Sequence, residues 1–461
     1  MIFRPAMIPP GVPCRACSST CSLQIQTLVR DRTSPFSARS IFFSFAQTRS
    51  SFATVSRKYA LNNTLRRSFH STPGRLSDPS PSTSRISYRV AVSSSGKGRR
   101  FHPLKNAYNF DPTISDVLGV SKDKDPAVRR RNRPDSGEDA FFVSQIGSRV
   151  SGHPDAGDAV AFAVADGVGG WTESRVDPAD FSHGLCAYMA QSALAWDSPA
   201  EQLRPKQLLQ AGYDQVVDDP AIKAGGSTAS VGVALPDGRV ELANLGDSGS
   251  VLLRLAAVHH YSVPQTHGFN TPYQLSVIPP RMRAQASVFG GAYLEDFPKD
   301  AAVTNVQMQH GDVLMLATDG VFDNLNNQDI LKVVTSRMVL TGAWTVTEDY
   351  GVAISDTFAG LTVPSGLATA FPPPKNPSAS QPNEKEIAAL ESTLTLQSLL
   401  AASIAGEAKV ASIDFRRDGP FAKEAQRYYP GDHYRGGKVD DICALVIVAV
   451  DESLGSGKST E

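Results

Sequence analysis

The order of strand-like and helical segments predicts an α+β fold, a four-layer α-β-β-α sandwich whose two central, mainly antiparallel sheets are covered by helices. Strands come first, followed by two helices, further strands, helices and one last strand. A doubly wound parallel sheet would need strand and helix to alternate one by one, and this order does not do so. Pro236-Asp237-Gly238, between two apolar runs, is typical of the hairpin turns that join antiparallel strands.

The first two predicted strands precede a turn that contains Asp166. We expect the folded region to begin near Phe101, after a Ser/Pro-rich linker at 70–100 that composition predicts to be disordered. Apolar, β-type runs then predict strands at 140–144 and 159–165. The second strand stops at the turn Asp166-Gly167. Apolar residues at helical spacing predict the next two helices, at 179–196 and 205–217.

The second half of the chain is predicted to be richer in strands. Further strands are expected at 227–235, 239–245, 250–255, 312–317 and 441–450. Two more helices are expected at 327–340, capped by Asn327, and at 384–412. Residues 361–383 contain three consecutive prolines and are interpreted as an exposed low-complexity insertion. The predicted domain ends at residue 452, and 453–461 are expected to form a flexible tail.

The amino-terminal 69 residues have the composition of a mitochondrial transit peptide. They hold ten Arg or Lys residues and one acid, Asp31, and are rich in Ser and Thr. The segment ends in Arg66-Arg67-Ser68-Phe69, and we expect cleavage after Phe69. A disordered basic tail is the alternative interpretation. No apolar run approaches the ~20 residues of a spanning helix, so a matrix protein with no membrane span is expected.

The rest of the chain is acidic, with 35 basic and 45 acidic residues after the leader is subtracted. This charge argues against nucleic acid as a partner. Cys14, Cys17 and Cys21 lie in the leader, and their spacing is a weak metal-binding signal because no fourth ligand is near. Cys186 and Cys443 lie in apolar stretches and are expected to be small core residues, so no disulfide framework is predicted.

Carboxylates follow or precede several of the predicted strands. Glu138 and Asp139 precede one strand, and Asp166, Asp319 and Asp440 stand at the ends of others. Strand ends aim side chains in fixed directions, so these distant positions can converge on one point. Clustered carboxylates repel one another unless cations neutralise them, and hard oxygen donors favour Mg²⁺ or Mn²⁺ over Zn²⁺. A pair of such ions is suited to the attack of water on a phosphate ester.

From about residue 101 to residue 452, the chain resembles the metal-dependent protein phosphatases of type 2C. The strings that carry this resemblance occur in the family's order and are Gly137-Glu138-Asp139-Ala140, Ala165-Asp166-Gly167-Val168-Gly169-Gly170-Trp171, Gly226-Ser227-Thr228-Ala229, Leu245-Gly246-Asp247-Ser248, Thr318-Asp319-Gly320-Val321-Phe322-Asp323 and Asp440-Asp441-Ile442. The first Asp-Gly string, 269–275 and 434–438 resemble the family's mitochondrial branch, in agreement with the leader.

The resemblance implies a role for each matching position. Asp166 would bridge two metal ions, and the backbone carbonyl of Gly167 would be a further ligand. Asp319 and Asp440 would complete the protein ligands of one ion, and Glu138 would serve the other. Asp139 would hold metal-bound waters, and Asp247 resembles a weaker third metal site. Asp441 stands where the family often has Asn, and Asp323 is most simply a turn or cap residue.

Two positions depart from the family pattern. Family members of the common type have a His after the bridging Asp-Gly, where this chain has Val168, so the general acid is left open. The family's phosphate-contacting Arg usually lies four residues before the Glu, and that place is Pro134 here. Arg133, one residue further back, is the candidate for this contact, with a surface Arg as the alternative.

The resemblance implies a protein serine/threonine phosphatase of the mitochondrial matrix that uses two Mn²⁺ or Mg²⁺ ions. A metal-bridging hydroxide would attack the phosphomonoester in line, with no phosphoenzyme. Phosphoserine and phosphothreonine proteins, among them those of ubiquinone biosynthesis, are the implied substrates, and a monomer is expected. Two other classes stay open: a pseudophosphatase that keeps the fold as a binding module, and an RNA- or lipid-surface protein driven by the basic leader.

Overall fold

The computed structural model describes residues 84–111, 116–147, 159–288, 293–349, 351–370 and 393–454. The predicted transit peptide, its three cysteines, the three prolines of the predicted insertion and the tail beyond Leu454 lie outside these ranges. Within them, no helix is both long enough and apolar enough to cross a lipid bilayer.

The strands are β1 Ile86–Ser95, β2 Ala107–Asn109, β3 Asp139–Gln145, β4 Val160–Asp166, β5 Gly225–Ser227, β6 Ala229–Ala234, β7 Arg239–Leu245, β8 Gly249–Arg254, β9 Ala257–Tyr261, β10 Thr266–Gly268, β11 Thr271–Pro272, β12 Leu275–Val277, β13 Ala302–Gln307, β14 Val313–Ala317, β15 Trp344–Val346, β16 Val352–Ile354 and β17 Ile442–Asp451. The helices are α1 Pro126–Arg131, α2 Pro178–Leu194, α3 Pro205–Asp218, α4 Pro280–Val288, α5 Asp319–Phe322, α6 Asn327–Leu340, α7 Phe358–Leu361, α8 Gly366–Ala370, α9 Leu396–Ser412 and α10 Pro420–Tyr428.

Two antiparallel sheets form the centre of the fold. The first has six strands in the order β2-β1-β17-β14-β8-β9, and the second has five in the order β13-β7-β6-β4-β3. Their facing surfaces share one buried apolar cluster, to which Val90 and Ile447 contribute from the first sheet and Phe141 and Phe162 from the second. The predicted face-to-face stacking of antiparallel sheets is confirmed.

Helices cover the outer face of each sheet. Alternation along a strand sends successive side chains to opposite faces. Phe142 of β3 therefore packs under α2 and α3, where it meets Phe181 and Leu208, while its neighbour Phe141 faces the other sheet. On the six-stranded sheet, Met315 of β14 packs in the same way among side chains of α6 and α9. The four layers are thus helix, sheet, sheet and helix, as predicted.

The predicted linker at 70–100 is wrong over its second half, because β1 lies inside it. Ile86–Ser95 pairs along its whole length with β17, and Tyr88, Val90 and Val92 are buried between the sheets. Each such burial stabilises the fold by about 1.5–3 kcal/mol. The folded region therefore begins at least fifteen residues before Phe101, and β1 is one of its central strands.

Three further details differ from the predictions. The helix predicted at 384–412 begins, among the described residues, only at Leu396, because Thr395 caps it through a hydrogen bond from the Ser398 N–H. The described part of the predicted exposed insertion contains the last residue of α7 and the whole of α8, and its Leu361 and Leu367 are buried, so this part packs on the core. The N-cap of α6 is Asn326, one residue before the predicted cap.

Candidate metal centre

Two carboxylates meet where β3 begins and β4 ends. These strands are antiparallel, and their register places Asp139 directly opposite Asp166. The pairing continues one step beyond the sheet, since the Gly167 N–H donates to the Glu138 carbonyl at 3.1 Å. The strings that contain Glu138 and Asp166, separate in sequence, are therefore neighbours at one end of the five-stranded sheet.

The six-stranded sheet brings its acidic strand ends to the same place. In β14, Ala317 is opposite Gly249 at the start of β8 and opposite Ala444 near the start of β17. Asp319 follows β14, Asp247 precedes β8, and Asp440 precedes β17. All three thus stand beyond the same end of the sheet, because antiparallel neighbours end where their partners begin.

Three of the candidate carboxylates approach one another closely. Asp166, Asp247 and Asp319 each offer an oxygen, and these oxygens all lie within 4.8 Å of one another. Asp166 comes from the five-stranded sheet and the other two from the six-stranded sheet. The cluster therefore spans the opening between the sheets.

A threonine holds Asp139 in place across the two sheets. The Thr318 hydroxyl donates to Asp139 Oδ2 at 2.8 Å and accepts from the Cys443 N–H at 3.1 Å. Asp139 itself is almost completely buried, and its Oδ1 has no hydrogen-bond partner among the described residues. One oxygen of this carboxylate is thus anchored, and the other is left available.

Asp441 supports the backbone of the acidic loop. Its carboxylate accepts hydrogen bonds from the backbone N–H of Glu138, at 2.8 Å, and from that of Lys97. Gly137 stands beside it with a φ of +71°, and a Cβ at that position would collide with the Asp441 carboxylate. Asp441 is therefore committed to backbone contacts, whereas the carboxylate of Asp440 contacts, among the described residues, the ammonium groups of Lys97 and Lys438 and one backbone N–H.

One ammonium group enters the cluster from the opposite side. The Lys438 Nζ lies 2.6 Å from Asp319 Oδ2, 2.7 Å from Asp323 Oδ2 and 3.1 Å from Asp440 Oδ2. Burial favours loss of its proton, but Asp319 and Asp323 outweigh burial and hold the pKa of Lys438 well above its usual value. Lys438 therefore remains charged.

Burial, and after it repulsion between neighbouring carboxylates, determines the electrostatics of the cluster. Burial, followed by the charge of Asp441, raises the pKa of Glu138 to about 7. Burial, followed by Asp319, raises the pKa of Asp247 to about 7 and that of Asp166 well above its usual range. The pKa of Asp139 is also raised, first by burial and then by Asp441. Such shifts mark carboxylates that need positive charge to ionise together.

The donor set fits Mg²⁺ or Mn²⁺. All three clustered donors are carboxylate oxygens, the ligands that these hard cations prefer. Asp139 Oδ1 and Asp247 Oδ1 are buried and have no hydrogen-bond partner in the described part of the chain. A buried polar oxygen left in this way is costly, and coordination of a cation or of its water shell would remove that cost.

A cleft of about 500 Å³ opens beside the cluster. Acidic side chains, Asp247, Asp319 and Asp323, line its floor, and Phe269 and Phe421 stand on its wall. Phe269 also contacts Tyr428 and Tyr429 of α10 and its carboxyl end, at centroid distances of 5.5 and 5.6 Å. The cleft that leads to the cluster is therefore lined on one side by aromatic residues.

Arg133 does not contact the carboxylate cluster. Its guanidinium, mostly buried, forms ion pairs with Asp177, at 3.2 Å, and with Asp180 of α2. Val168 packs in a small apolar cluster with Trp171 and Ile278. Val168 thus has apolar neighbours at the place where the common family pattern has His.

Several residues of this site were missed or misread from the sequence. Lys438 appeared only within a family string, and Asp323, interpreted as a turn or cap residue, also binds the Lys438 ammonium. His267 was given no acidic partner, but its Nε2 lies 2.9 Å from Asp296 Oδ2, across 29 positions. Local spacing in the sequence could not reveal these contacts, because the partners are far apart along the chain. The position of Lys438 two residues before Asp440 was the one usable sign that a lysine lies near the candidate site.

Comparison with known proteins gives the family of the chain. The profile of the family described as Protein phosphatase 2C matches residues 148–352, a range that includes Asp166, Asp247 and Asp319. Protein phosphatase 2C homolog 7, mitochondrial, of Saccharomyces cerevisiae is 37% identical over 240 residues, which cover 51% of this chain and 66% of that protein. The chain thus spans just under two thirds of the length of this relative.

Other relatives are covered more fully. Protein phosphatase PTC7 homolog fig of Drosophila simulans is 34% identical over 253 residues, covering 53% of this chain and 74% of that protein. Among solved structures, the photosystem II phosphatase PBCP is 24% identical and has a TM-score of 0.44, with 72% of this chain and 98% of that chain covered.

The chain belongs to the protein phosphatase 2C family, a family of metal-dependent protein serine/threonine phosphatases. Within it, the chain resembles the proteins named as homologs of PTC7, the mitochondrial type 2C phosphatase of yeast.

Proposed function

We propose that this protein hydrolyses phosphoserine and phosphothreonine monoesters of other proteins with the help of two divalent cations, Mn²⁺ or Mg²⁺. The observation that carries this proposal is the cluster of Asp166, Asp247 and Asp319, whose oxygens lie within 4.8 Å of one another beside a cleft. Membership of the type 2C family supports the same activity.

Each carboxylate has a proposed task. Asp166 lies between the two sheets and is suited to bridge both ions, with the backbone carbonyl of Gly167 beside it. Asp319 and Asp440 would complete one ion's ligands, and Glu138 would serve the other ion. Asp139, which Thr318 holds by one oxygen, would orient metal-bound water with the oxygen that remains. Asp247 would belong to a weaker third site, which the two-ion centre leaves unfilled.

The chemistry that the ions would supply when bound is activation of a shared water for in-line attack on phosphorus, without a phosphoenzyme. The protein's own part is to hold its carboxylates in position before the substrate arrives, through the strand register and the Thr318 contact. Cys186 and Cys443 are buried, and burial raises the pKa of each thiol, which suits core residues rather than nucleophiles.

Arg133 is the proposed contact for the substrate phosphate. It would have to exchange an ion pair with Asp177 or Asp180 for the phosphate, because both acids hold it in this structure. This exchange of partners is favourable, since a phosphate dianion attracts a guanidinium more strongly than a single carboxylate does. Arg133→Ala is expected to raise KM for a phosphopeptide more than it lowers kcat.

The proposed location is the mitochondrial matrix. The name of the yeast relative describes a mitochondrial protein, and the composition of residues 1–69 agrees with import. Proteins of ubiquinone biosynthesis are the proposed substrates on family resemblance alone.

The cleft of about 500 Å³ beside the carboxylates gives the phosphorylated side chain a route to the centre.

The full chain, with Mn²⁺ and a phosphothreonine peptide, provides the test. Activity should require Mn²⁺, disappear in excess EDTA and fall roughly a hundredfold or more in Asp166→Asn, since the metal's stabilisation of charge is worth several kcal/mol. Asp214→Asn, which changes an exposed carboxylate on α3, is the matched control and should retain activity. A fragment that starts at residue 95 is unsuitable because it lacks most of β1.

Two results would contradict the proposal. Equal turnover by the wild type and Asp166→Asn would remove the carboxylate cluster from catalysis. Tight binding of a phosphopeptide with no hydrolysis at any Mn²⁺ concentration would favour the binding-module interpretation, with which Val168 and the paired Arg133 agree.

A further inference from the structure

Lys438 provides a fixed positive charge on one side of the carboxylate cluster. Its Nζ contacts one oxygen each of Asp319, Asp323 and Asp440, at 2.6, 2.7 and 3.1 Å. The side chain is 16% exposed, so water screens these contacts weakly. Two of its three partners, Asp319 and Asp440, are the proposed ligands of one metal ion, and the third, Asp323, has no place in that ligand set.

The position of this ammonium is determined by several independent contacts. The backbone N–H of Lys438 donates to Asn324 Oδ1, and its carbonyl accepts from Asn324 Nδ2, both at 2.9 Å. Asn324 is buried next to α5. At the far end, Nζ reaches Asn270 Oδ1 at 3.2 Å and lies 5.1 Å from the centroid of the Phe421 ring. The lysine is held from both ends, beyond its contacts with the proposed ligands.

The ammonium stands where a further cation would otherwise be attracted. Asp247, Asp319 and Asp323 all line the cleft, and each has a carboxylate. Mg²⁺ or Mn²⁺ would need several oxygens at about 2.0–2.2 Å, including those that Lys438 already contacts. A third dication bound to Asp323 and to the oxygens that Lys438 contacts would lie a few ångströms from the ammonium, and the two charges would repel each other strongly in this largely buried place. Lys438 contacts Asp319 and Asp440 through Oδ2, so the proposed two-ion centre would use these residues through Oδ1.

We propose that the Lys438 ammonium is a resident cation that takes the place of a metal ion on the Asp319–Asp323 side of the centre. The protein then binds two divalent ions instead of three, and the weaker third site near Asp247 becomes available only when this charge is removed. The inference rests on the proposed two-ion centre. In it, the Lys438 ammonium supplies the positive charge that a third ion would otherwise bring.

Counting bound Mn²⁺ tests the inference without reference to activity. Free Mn²⁺ gives an electron paramagnetic resonance signal that bound Mn²⁺ does not give at room temperature, so titration of the full chain yields the number of sites. The wild type should bind two ions. Lys438→Met, which keeps the length and apolar stem of the side chain, should bind three, and Lys438→Gln should do the same. Lys438→Arg keeps the charge and should bind two.

A double variant shows where the additional ion binds. Asp323 is the carboxylate that the two-ion ligand set does not use, so Lys438→Met combined with Asp323→Asn should return the count to two. Asp323→Asn alone should also bind two ions, because Lys438 is still present. Cooperative thermal unfolding of each variant in Mn²⁺ shows that the counts refer to folded protein, and Lys438→Gln replaces Lys438→Met if the latter does not fold.

The inference is overturned if the wild type binds three ions, or if both neutral variants bind two with unchanged affinity. A count of three in the double variant would also overturn it, because the added ion would then not depend on Asp323. A wild-type count of zero is a different failure: it would overturn the proposed metal centre itself, and with it the phosphatase proposal.

Discussion

Removal of divalent metal should make the stability of this protein fall as the pH rises from 5 to 7.5. In the metal-free protein, burial and neighbouring carboxylates raise the pKa of Glu138 and of Asp247 to about 7. A raised carboxyl pKa stabilises the folded state at low pH, where the group is protonated. That contribution is lost as the pH rises through about 7, because the folded protein must then ionise these groups beside one another.

The size of the effect follows from the two pKa values. From 4.5 to about 7 for Glu138, and from 3.8 to about 7 for Asp247, the upper limits are about 3.5 and about 4.5 kcal/mol at about 1.4 kcal/mol per pH unit. Of each, about 3 kcal/mol falls above pH 5. Glu138 is only partly buried, so solvent screening reduces its share to roughly 1 kcal/mol. Repulsion shared between the groups is counted once, and the expected total loss is about 2–3 kcal/mol.

Urea unfolding at pH 5.0, 6.0, 6.8 and 7.5, in EDTA and in Mn²⁺, measures this loss. The free energy of unfolding in EDTA should decrease across the series, and Mn²⁺ should remove most of the decrease because the ions favour the ionised carboxylates. Glu138→Gln combined with Asp247→Asn should make the EDTA series less steep, with the remaining slope due to Asp166 and Asp139, whose pKa values are also raised. Asp214→Asn should leave the slope unchanged. A metal-free stability that is constant or rises with pH would refute the claim that these carboxylates repel one another.

Three further predictions concern single features of the fold and site. Asp441→Asn should keep most of the activity, whereas Asp441→Ala should lower the free energy of unfolding by about 1–3 kcal/mol, since two N–H groups lose their acceptor; activity loss in Asp441→Asn equal to that in Asp440→Asn would show that Asp441 is itself a ligand. Gly320→Ala should fail to give stable protein, because its Cβ would collide with the Asp441 carbonyl, and a normal melting temperature would contradict this packing. A chain that starts at residue 84 should unfold cooperatively and one that starts at 101 should not, as circular dichroism will show; cooperative unfolding of the shorter chain would mean that β1 is dispensable.

Most of the layer arrangement could be predicted because the central strands are apolar and their turns are recognisable. The run from Ile442 to Val450 is buried throughout, and the Asp237-Gly238 turn joins β6 and β7 as expected. Strand β1 was missed because Ser and Arg surround it, and the polarity of that composition concealed the alternation of Ile86, Tyr88, Val90 and Val92. The polar composition of the segment therefore favoured a prediction of disorder, although its apolar residues alternate with the period of two that is typical of a strand.

The acidic residues of the site could be predicted because each has a strand end to fix its direction. Asp166 and Asp319, two of the acids predicted to converge, approach each other although more than 150 positions separate them, and Asp247 lies beside both. The contacts of Lys438 and Thr318 could not be predicted, since both cross from one element to another and no local spacing encodes them. Arg133 shows the opposite error: an approximate family position suggested a phosphate contact, and two nearby acids on α2 and its cap hold its side chain.

An anomalous diffraction map from a crystal of the full chain grown with Mn²⁺ tests the central claim most directly. The account predicts two manganese peaks about 3.5–4 Å apart at the ends of β4, β14 and β17, with Asp166 contacting both. It also predicts that Asp319 and Asp440 bind one ion, that Glu138 lies next to the other ion, and that the Lys438 ammonium remains in contact with Asp323. A map with no manganese within coordination distance of Asp166, or with the ion bound at another group of acids, would contradict the account.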